Sequence, residues 1–150
     1  MYATAEQPRT DSYRFQAEHT ISIFERSAIA IFPSGRRRKG SYVEDWPNMA
    51  ADEATAITRR DLAHKAVNLA GRTGNGVAVF DLDAKNDVDP VEMLQVLRRL
   101  IGPAIIAIVR TSRGFHLWAQ VADPVGNGFC SFIGGEIFSD PHLAMLPPSV

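Results

Sequence analysis

The 150-residue chain has a single cysteine, Cys130. That excludes an internal disulfide and any cysteine-rich metal site, and it fits a reducing, cytoplasmic compartment. No apolar run approaches the roughly 20 residues needed to cross a bilayer, so no membrane partner is expected. The polar stretch from Met1 to Arg14 lacks the apolar core of a secretory signal. Charge of one sign is lacking too: the net charge is −1, from 16 Lys and Arg against 17 Asp and Glu. Such a chain has no global attraction for nucleic acid, so any binding must come from local patches. Arg36, Arg37, Arg38 and Lys39 form the densest one. Arg59 with Arg60, Arg98 with Arg99, and Arg110 with Arg113 form smaller ones. Each is either a solvated face or an anion-binding surface.

What is present suits a folded domain. Hydrophobic residues make up 45% and charged residues 22%, close to the globular average. Residues 1–13 are polar and without periodicity, which predicts a loose N-terminus; residues 14–150 then form one domain. Phe15, Ile21, Ile23 and Phe24 suggest a helix from about Tyr13 to Arg26. Ala28 to Phe32 reads as a buried strand ending in a turn at Pro33-Ser34-Gly35. Arg36 to Met49 reads as a loop whose Trp46 packs back onto the core. Residues 50–66 suit a helix.

The middle of the chain carries the clearest pattern. A short strand is expected over Val67 to Ala70, and a longer one from Gly76 to Asp83, rich in β-formers. Asp89 reads as a helix N-cap with Pro90 in the first position. The helix continues to about Leu100, with Met93, Leu94, Leu97 and Leu100 on one face, and Gly102-Pro103 ends it. Ala104 to Val109 is a further strand. In the next, Gly114 to Val121, Phe115, Leu117 and Ala119 alternate with His116, Trp118 and Gln120. Gly134-Gly135 and Pro141 break the tail into short strands. The whole predicts an α+β or α/β domain, with flanking helices on one mixed or antiparallel sheet.

Four segments carry candidate chemistry. Asp81 and Asp83 follow an apolar strand, and alternate strand residues share a face. Two carboxylates so close repel unless a cation lies between them. The pair is therefore either a solvated strand end or a site for a hard divalent ion, which takes oxygen ligands and substrate phosphates. Thr111-Ser112-Arg113-Gly114-Phe115-His116 is a hairpin in which Arg113 and His116 can donate to an anion. There Gly114 lets the backbone approach a ligand. Taken alone, a histidine such as His116 is more often a satisfied polar residue on a sheet face. Glu136, before Ile137-Phe138, is a surface glutamate or a third acid on a strand. Leu146-Pro147-Pro148-Ser149 is a rigid extended run.

In this order the four segments resemble the N-terminal domain of bifunctional DNA primase-polymerases, in the archaeo-eukaryotic primase superfamily. Val77 to Asp83 matches that family's acid-x-acid strand. Thr111 to His116 resembles its second motif, Glu136 stands where the family often carries Asp, and Pro147-Pro148-Ser149 is similar to a following Pro-Pro-Ser segment. Ile29 to Trp46 also resembles the family's strand, Pro, basic loop and Trp. The resemblance spans roughly residues 20–150.

It implies two packed modules, one similar to an RNA-recognition fold, with a site between them. It also implies metal-dependent nucleotidyl transfer in a plasmid, phage or mobile-element replication protein. Asp81, Asp83 and Glu136 would hold Mg²⁺ or Mn²⁺. Ser112, Arg113 and His116 would bind the triphosphate of a dNTP or NTP, and Lys85 either joins them or is a surface lysine. Arg36 to Lys39 would hold the phosphates of a single-stranded DNA template. A replicative helicase domain or protein is an expected partner. Relatives usually continue past the Pro-Pro-Ser segment, so the chain is expected to be a fragment of a longer protein or a naturally short version.

Two rivals remain. Phe80-Asp81-Leu82-Asp83 resembles the nucleophile motif of haloacid-dehalogenase-like phosphohydrolases, although Ala84-Lys85 follows it and no later acidic pair stands out. The other rival is a degenerate primase-like module that binds nucleic acid without catalysis.

Overall fold

The computed structural model describes residues 7–35, 40–65, 67–123 and 126–148. The chain is α+β, with two antiparallel sheets in place of the single sheet that the pattern predicted. It divides into two compact units: Met1–Arg72 with Leu143–Val150, and Thr73–His142.

The first unit holds helix α1 (Gln7–Glu25), strand β1 (Ile31–Ser34), helix α2 (Ala51–His64), strand β2 (Asn68–Arg72) and strand β8 (Leu143–Leu146). α1 starts at Gln7 rather than near Tyr13, so the expected loose N-terminus is partly helical. Its buried side is Ala17, Thr20, Ile21 and Phe24, a helical i, i+3, i+4, i+7 set. Phe15 and Ile23, placed on that face by the sequence pattern, are exposed.

The sheet order is β1-β2-β8. β1 is an edge, which explains why Pro33 and Ser34 lie inside a strand where a turn was expected: an edge strand tolerates the missing N–H. Thr58 Oγ1 on α2 donates to the Ile31 carbonyl at 2.7 Å, fixing helix to strand. Trp46 does pack inward, meeting Phe32 edge-on at 6.3 Å between ring centres. Arg72 holds that loop. One of its Nη atoms donates to the carbonyls of Trp46, Pro47 and Met49 at 2.7, 3.1 and 2.7 Å. Its guanidinium also lies 5.7 Å from the Phe32 ring centre.

The second unit holds strand β3 (Val77–Asp83), helix α3 (Pro90–Ile101), a 3-10 turn (Gly102–Ala104), and strands β4 (Ile105–Arg110), β5 (Gly114–Gln120), β6 (Gly128–Cys130) and β7 (Gly135–Phe138). The strand order is β4-β5-β3-β7-β6. The N-cap is as expected: Asp89 accepts from the N–H of Val91 at 2.7 Å and of Glu92 at 3.3 Å. Met93, Leu94 and Leu97 of α3 are buried with Leu82, Leu117 and Ala119, and Phe80 and Ile137 pack against them. Leu100, assigned to that buried face, is 65% exposed.

Strand alternation then fixes the other face of this sheet. With Phe80 and Leu82 turned to α3, Val79, Asp81 and Asp83 must point away from it.

Candidate functional site

Cross-strand neighbours share a face, with Cβ atoms about 5 Å apart. The register therefore writes a row across all five strands. Val109 on β4 opposes His116 on β5, and His116 opposes Asp81 on β3. Asp81 opposes Glu136 on β7, and Glu136 opposes Phe129 on the edge strand β6. Asp83 lies on the same face, about 7 Å further along β3 by strand rise.

Two glycines let the strands close on this end of β3. A Cβ built on Gly114 would lie 1.8 Å from the Leu82 carbonyl oxygen, and one on Gly135 would lie 1.9 Å from that of Asp81. Gly114 was read from the sequence as room for a ligand. In the structure it makes room for the neighbouring strand, because the nearest atoms are backbone of β3.

Asp83 is the most constrained of the acids. Its carboxylate accepts the Lys85 backbone N–H at 3.0 Å. Lys85 Nζ and an Arg113 Nη each lie 3.3 Å from its other oxygen. The Lys85 backbone bond holds this carboxyl below the usual carboxylate range. Burial opposes that, and the Lys85 and Arg113 charges reinforce it. Asp81 faces His116, with 3.5 Å between Oδ1 and Nε2. A second imidazole lies close by: His142 stacks on Phe138 with ring centres 3.9 Å apart and planes 6° apart. Burial pushes His142 down from the ordinary imidazole range. The charges of Glu136 and Asp81 pull it up, and that of His116 lowers it further.

Asp81, Asp83, Lys85, Asn86, Phe129, Gly135 and Glu136 line a cavity of about 200 Å³. Among the described residues no three His, Cys, Asp or Glu side chains converge into a ready metal cluster. The donor set still suits one class of ion. Hard carboxylate oxygens on one face, without a soft ligand, match a cation that keeps waters and takes further oxygens from a substrate phosphate.

The site residues named from the sequence therefore fall into three groups. Asp81, Asp83, Glu136, His116, Lys85 and Arg113 are gathered at one end of one sheet face. Ser112 is exposed in the β4–β5 turn beside Arg113. Arg36, Arg37, Arg38 and Lys39 lie outside the described residues, as does Ser149. Of the smaller basic patches, Arg59 is committed to Glu18 and Glu25, and Arg60 to Asp61. Phe129, Asn86 and His142 were not singled out from the sequence. Only the strand order β3-β7-β6 brings Phe129 to the acids, and no local motif announces that order.

The sequence model of the family described as "Bifunctional DNA primase/polymerase, N-terminal" matches residues 21–150. No curated protein matches the chain, and no solved structure does. No helix among the described residues is long and apolar enough to cross a membrane.

Proposed function

The chain belongs to the bifunctional DNA primase/polymerase N-terminal family, and from that membership we propose that it carries out metal-dependent nucleotidyl transfer on single-stranded DNA. The observation that carries the reading is the row of acids: Asp81 and Glu136 in register on adjacent strands, with Asp83 on the same face. These three would hold Mg²⁺ or Mn²⁺. Such an ion would supply positive charge for the triphosphate of a dNTP or NTP during an in-line displacement at phosphorus.

The chain's own residues do the positioning. His116, beside Asp81 on β5, donates to the triphosphate. Arg113 and Lys85, which lie against Asp83, would pair with phosphate oxygens of the bound nucleotide. Ser112 in the adjoining turn offers a hydroxyl to the same anion. Replication of a plasmid, phage or other mobile element, with a helicase domain or protein as partner, is the biological setting that this chemistry fits.

The test is calorimetric titration of a dNTP into the full chain, with Mg²⁺ and with a chelator. Three acids without a cation repel the phosphates, so affinity is expected only with the metal, and Asp81→Asn should abolish the metal dependence. Equal affinity in the chelator refutes the reading. The basic run Arg36–Lys39 is assigned to template phosphates, since four charges close in sequence supply attraction without the fixed geometry of base readout. Replacing all four with Ala should weaken binding alike for unrelated sequences and flatten its salt dependence. An unchanged slope removes the assignment.

One observation favours a second reading, nucleotide binding without turnover. Asp83 already has two cationic partners, which leaves a metal to compete for it. Primer extension separates the two readings: the binding-only module holds a dNTP with Mg²⁺ and adds none.

A further inference from the structure

Phe129 is 63% exposed, a large aromatic ring left in solvent on a three-residue edge strand. It opposes Glu136 in register and lines the same cavity as Asp81, Asp83 and Glu136. It thus ends the row that runs through Val109, His116, Asp81 and Glu136. Along the row itself the cationic groups come from the β5 side, while Lys85, on the connection after β3, also meets Asp83 and His142 stacks on Phe138 of β7. His116 is on β5, and Arg113 in the turn before it reaches Asp83. On the far side of the acids, β7 and β6 present Glu136 and Phe129.

This asymmetry has a chemical meaning for a displacement at phosphorus. The attacking and leaving oxygens lie on opposite sides of the transferred group. The leaving pyrophosphate carries the negative charge, so it belongs on the β5 side with His116 and Arg113. The attacking 3′-hydroxyl then approaches from the β7–β6 side. We propose that Phe129 is the stacking platform for the terminal nucleobase of the strand being extended, holding the nucleoside whose 3′-hydroxyl attacks. An exposed ring suits that task, because base–aromatic stacking tolerates any base. The inference rests on the proposed nucleotidyl transfer and on the phosphate role given to His116.

The test uses the full chain with Mg²⁺, a primer–template bearing a fluorescent purine analogue at the primer 3′ end, and a dNTP. The variants are Phe129→Ala, Phe129→Leu and Phe129→Tyr. Phe132→Ala serves as a control, because Phe132 is 62% exposed but does not line the cavity. Stacking should quench the 3′-terminal analogue in wild type and in Phe129→Tyr. It should not do so in Phe129→Ala or Phe129→Leu.

In extension assays Phe129→Ala is expected to raise KM for primer–template on the order of ten-fold. KM for dNTP should stay unchanged, and Phe132→Ala should behave as wild type. The proposal is overturned if Phe129→Leu behaves as Phe129→Tyr, since any apolar residue then suffices. It is equally overturned if KM for dNTP moves instead, which assigns the ring to the incoming nucleotide, or if quenching is indifferent to residue 129. A chain that quenches through Phe129 yet extends nothing keeps the platform and removes the transfer activity. A chain that extends primers without Phe129-dependent quenching keeps the activity and removes the platform.

Discussion

Gly114→Ala puts the geometry of the site to a quantitative test. A Cβ at this position would lie 1.8 Å from the Leu82 carbonyl oxygen and 2.9 Å from its carbon. Cβ atoms essentially never approach closer than 3.0 Å, so β5 must retreat from β3 by about 1.2 Å or more. The neighbouring bond from the Ala84 N–H to the Arg113 carbonyl is 2.9 Å long, and a retreat of that size breaks it. A lost bond of this kind costs about 1 kcal/mol, and forcing atoms into a packed region costs a further 1–3 kcal/mol, roughly. The sum, roughly 2–4 kcal/mol, is a large share of the 5–15 kcal/mol or so that separates a folded domain from its unfolded chain. Gly128→Ala is the matched control, because among the described residues nothing lies within 4 Å of a Cβ built there. Urea unfolding of the two variants beside wild type reads the difference through the midpoint at constant slope. The same substitution moves His116 away from Asp81, so metal-dependent dNTP affinity should fall with stability. If Gly114→Ala and Gly128→Ala unfold within about 0.5 kcal/mol of each other, an ordinary surface change, β5 does not approach β3 as described.

Arg72→Ala should destabilise the first unit by about 2–4 kcal/mol, because it strips a shared donor from three carbonyls and a cation from the Phe32 face; a loss under about 0.5 kcal/mol in urea unfolding contradicts that role. The Glu25 carboxyl is held below its ordinary value of 4.5 chiefly by its hydrogen bonds from Arg59. A lowered folded-state value stabilises fully above pH 4.5 and is lost as pH falls through that lowered value. Arg59→Ala should therefore cost under about 1 kcal/mol at neutral pH, both side chains being well exposed. That gap should close in acid, and a gap constant from neutral pH down to acid unfolding counts against the pair.

The part of the site that was legible in the sequence is the part written in local periodicity. The alternation of Phe80 and Leu82 with Asp81 and Asp83 put the acids on one face, and that of Phe115 and Leu117 with His116 did the same for the imidazole. The Asp89-Pro90 start of α3 was equally local. What escaped depends on pairing between distant segments. β2 bonds to β8, more than 70 residues later in the chain, and no nearby residue signals a second sheet. Pro33 reads as a turn until its strand is known to be an edge. Arg72 falls between the strands expected at Val67 to Ala70 and Gly76 to Asp83, and its carbonyl partners lie over 20 residues upstream. Asp83 looked like an open ligand because the return of the Arg113 turn to it is a tertiary contact.

The five-stranded sheet uses consecutive residues of β3 for opposed purposes, hydrocarbon toward α3 and carboxylate away from it. A strand of this kind has a phase. Adding or deleting one residue inside Val77–Asp83 would turn Leu82 outward and drive an aspartate against Met93 and Leu97, exchanging the two faces at once. Substitution can adjust the chemistry here one side chain at a time, but a change of length cannot. Variation in length between relatives should therefore be confined to the connections after Asp83, around Ser112 and between β5 and β6, while the spacing from Val77 to Asp83 stays fixed.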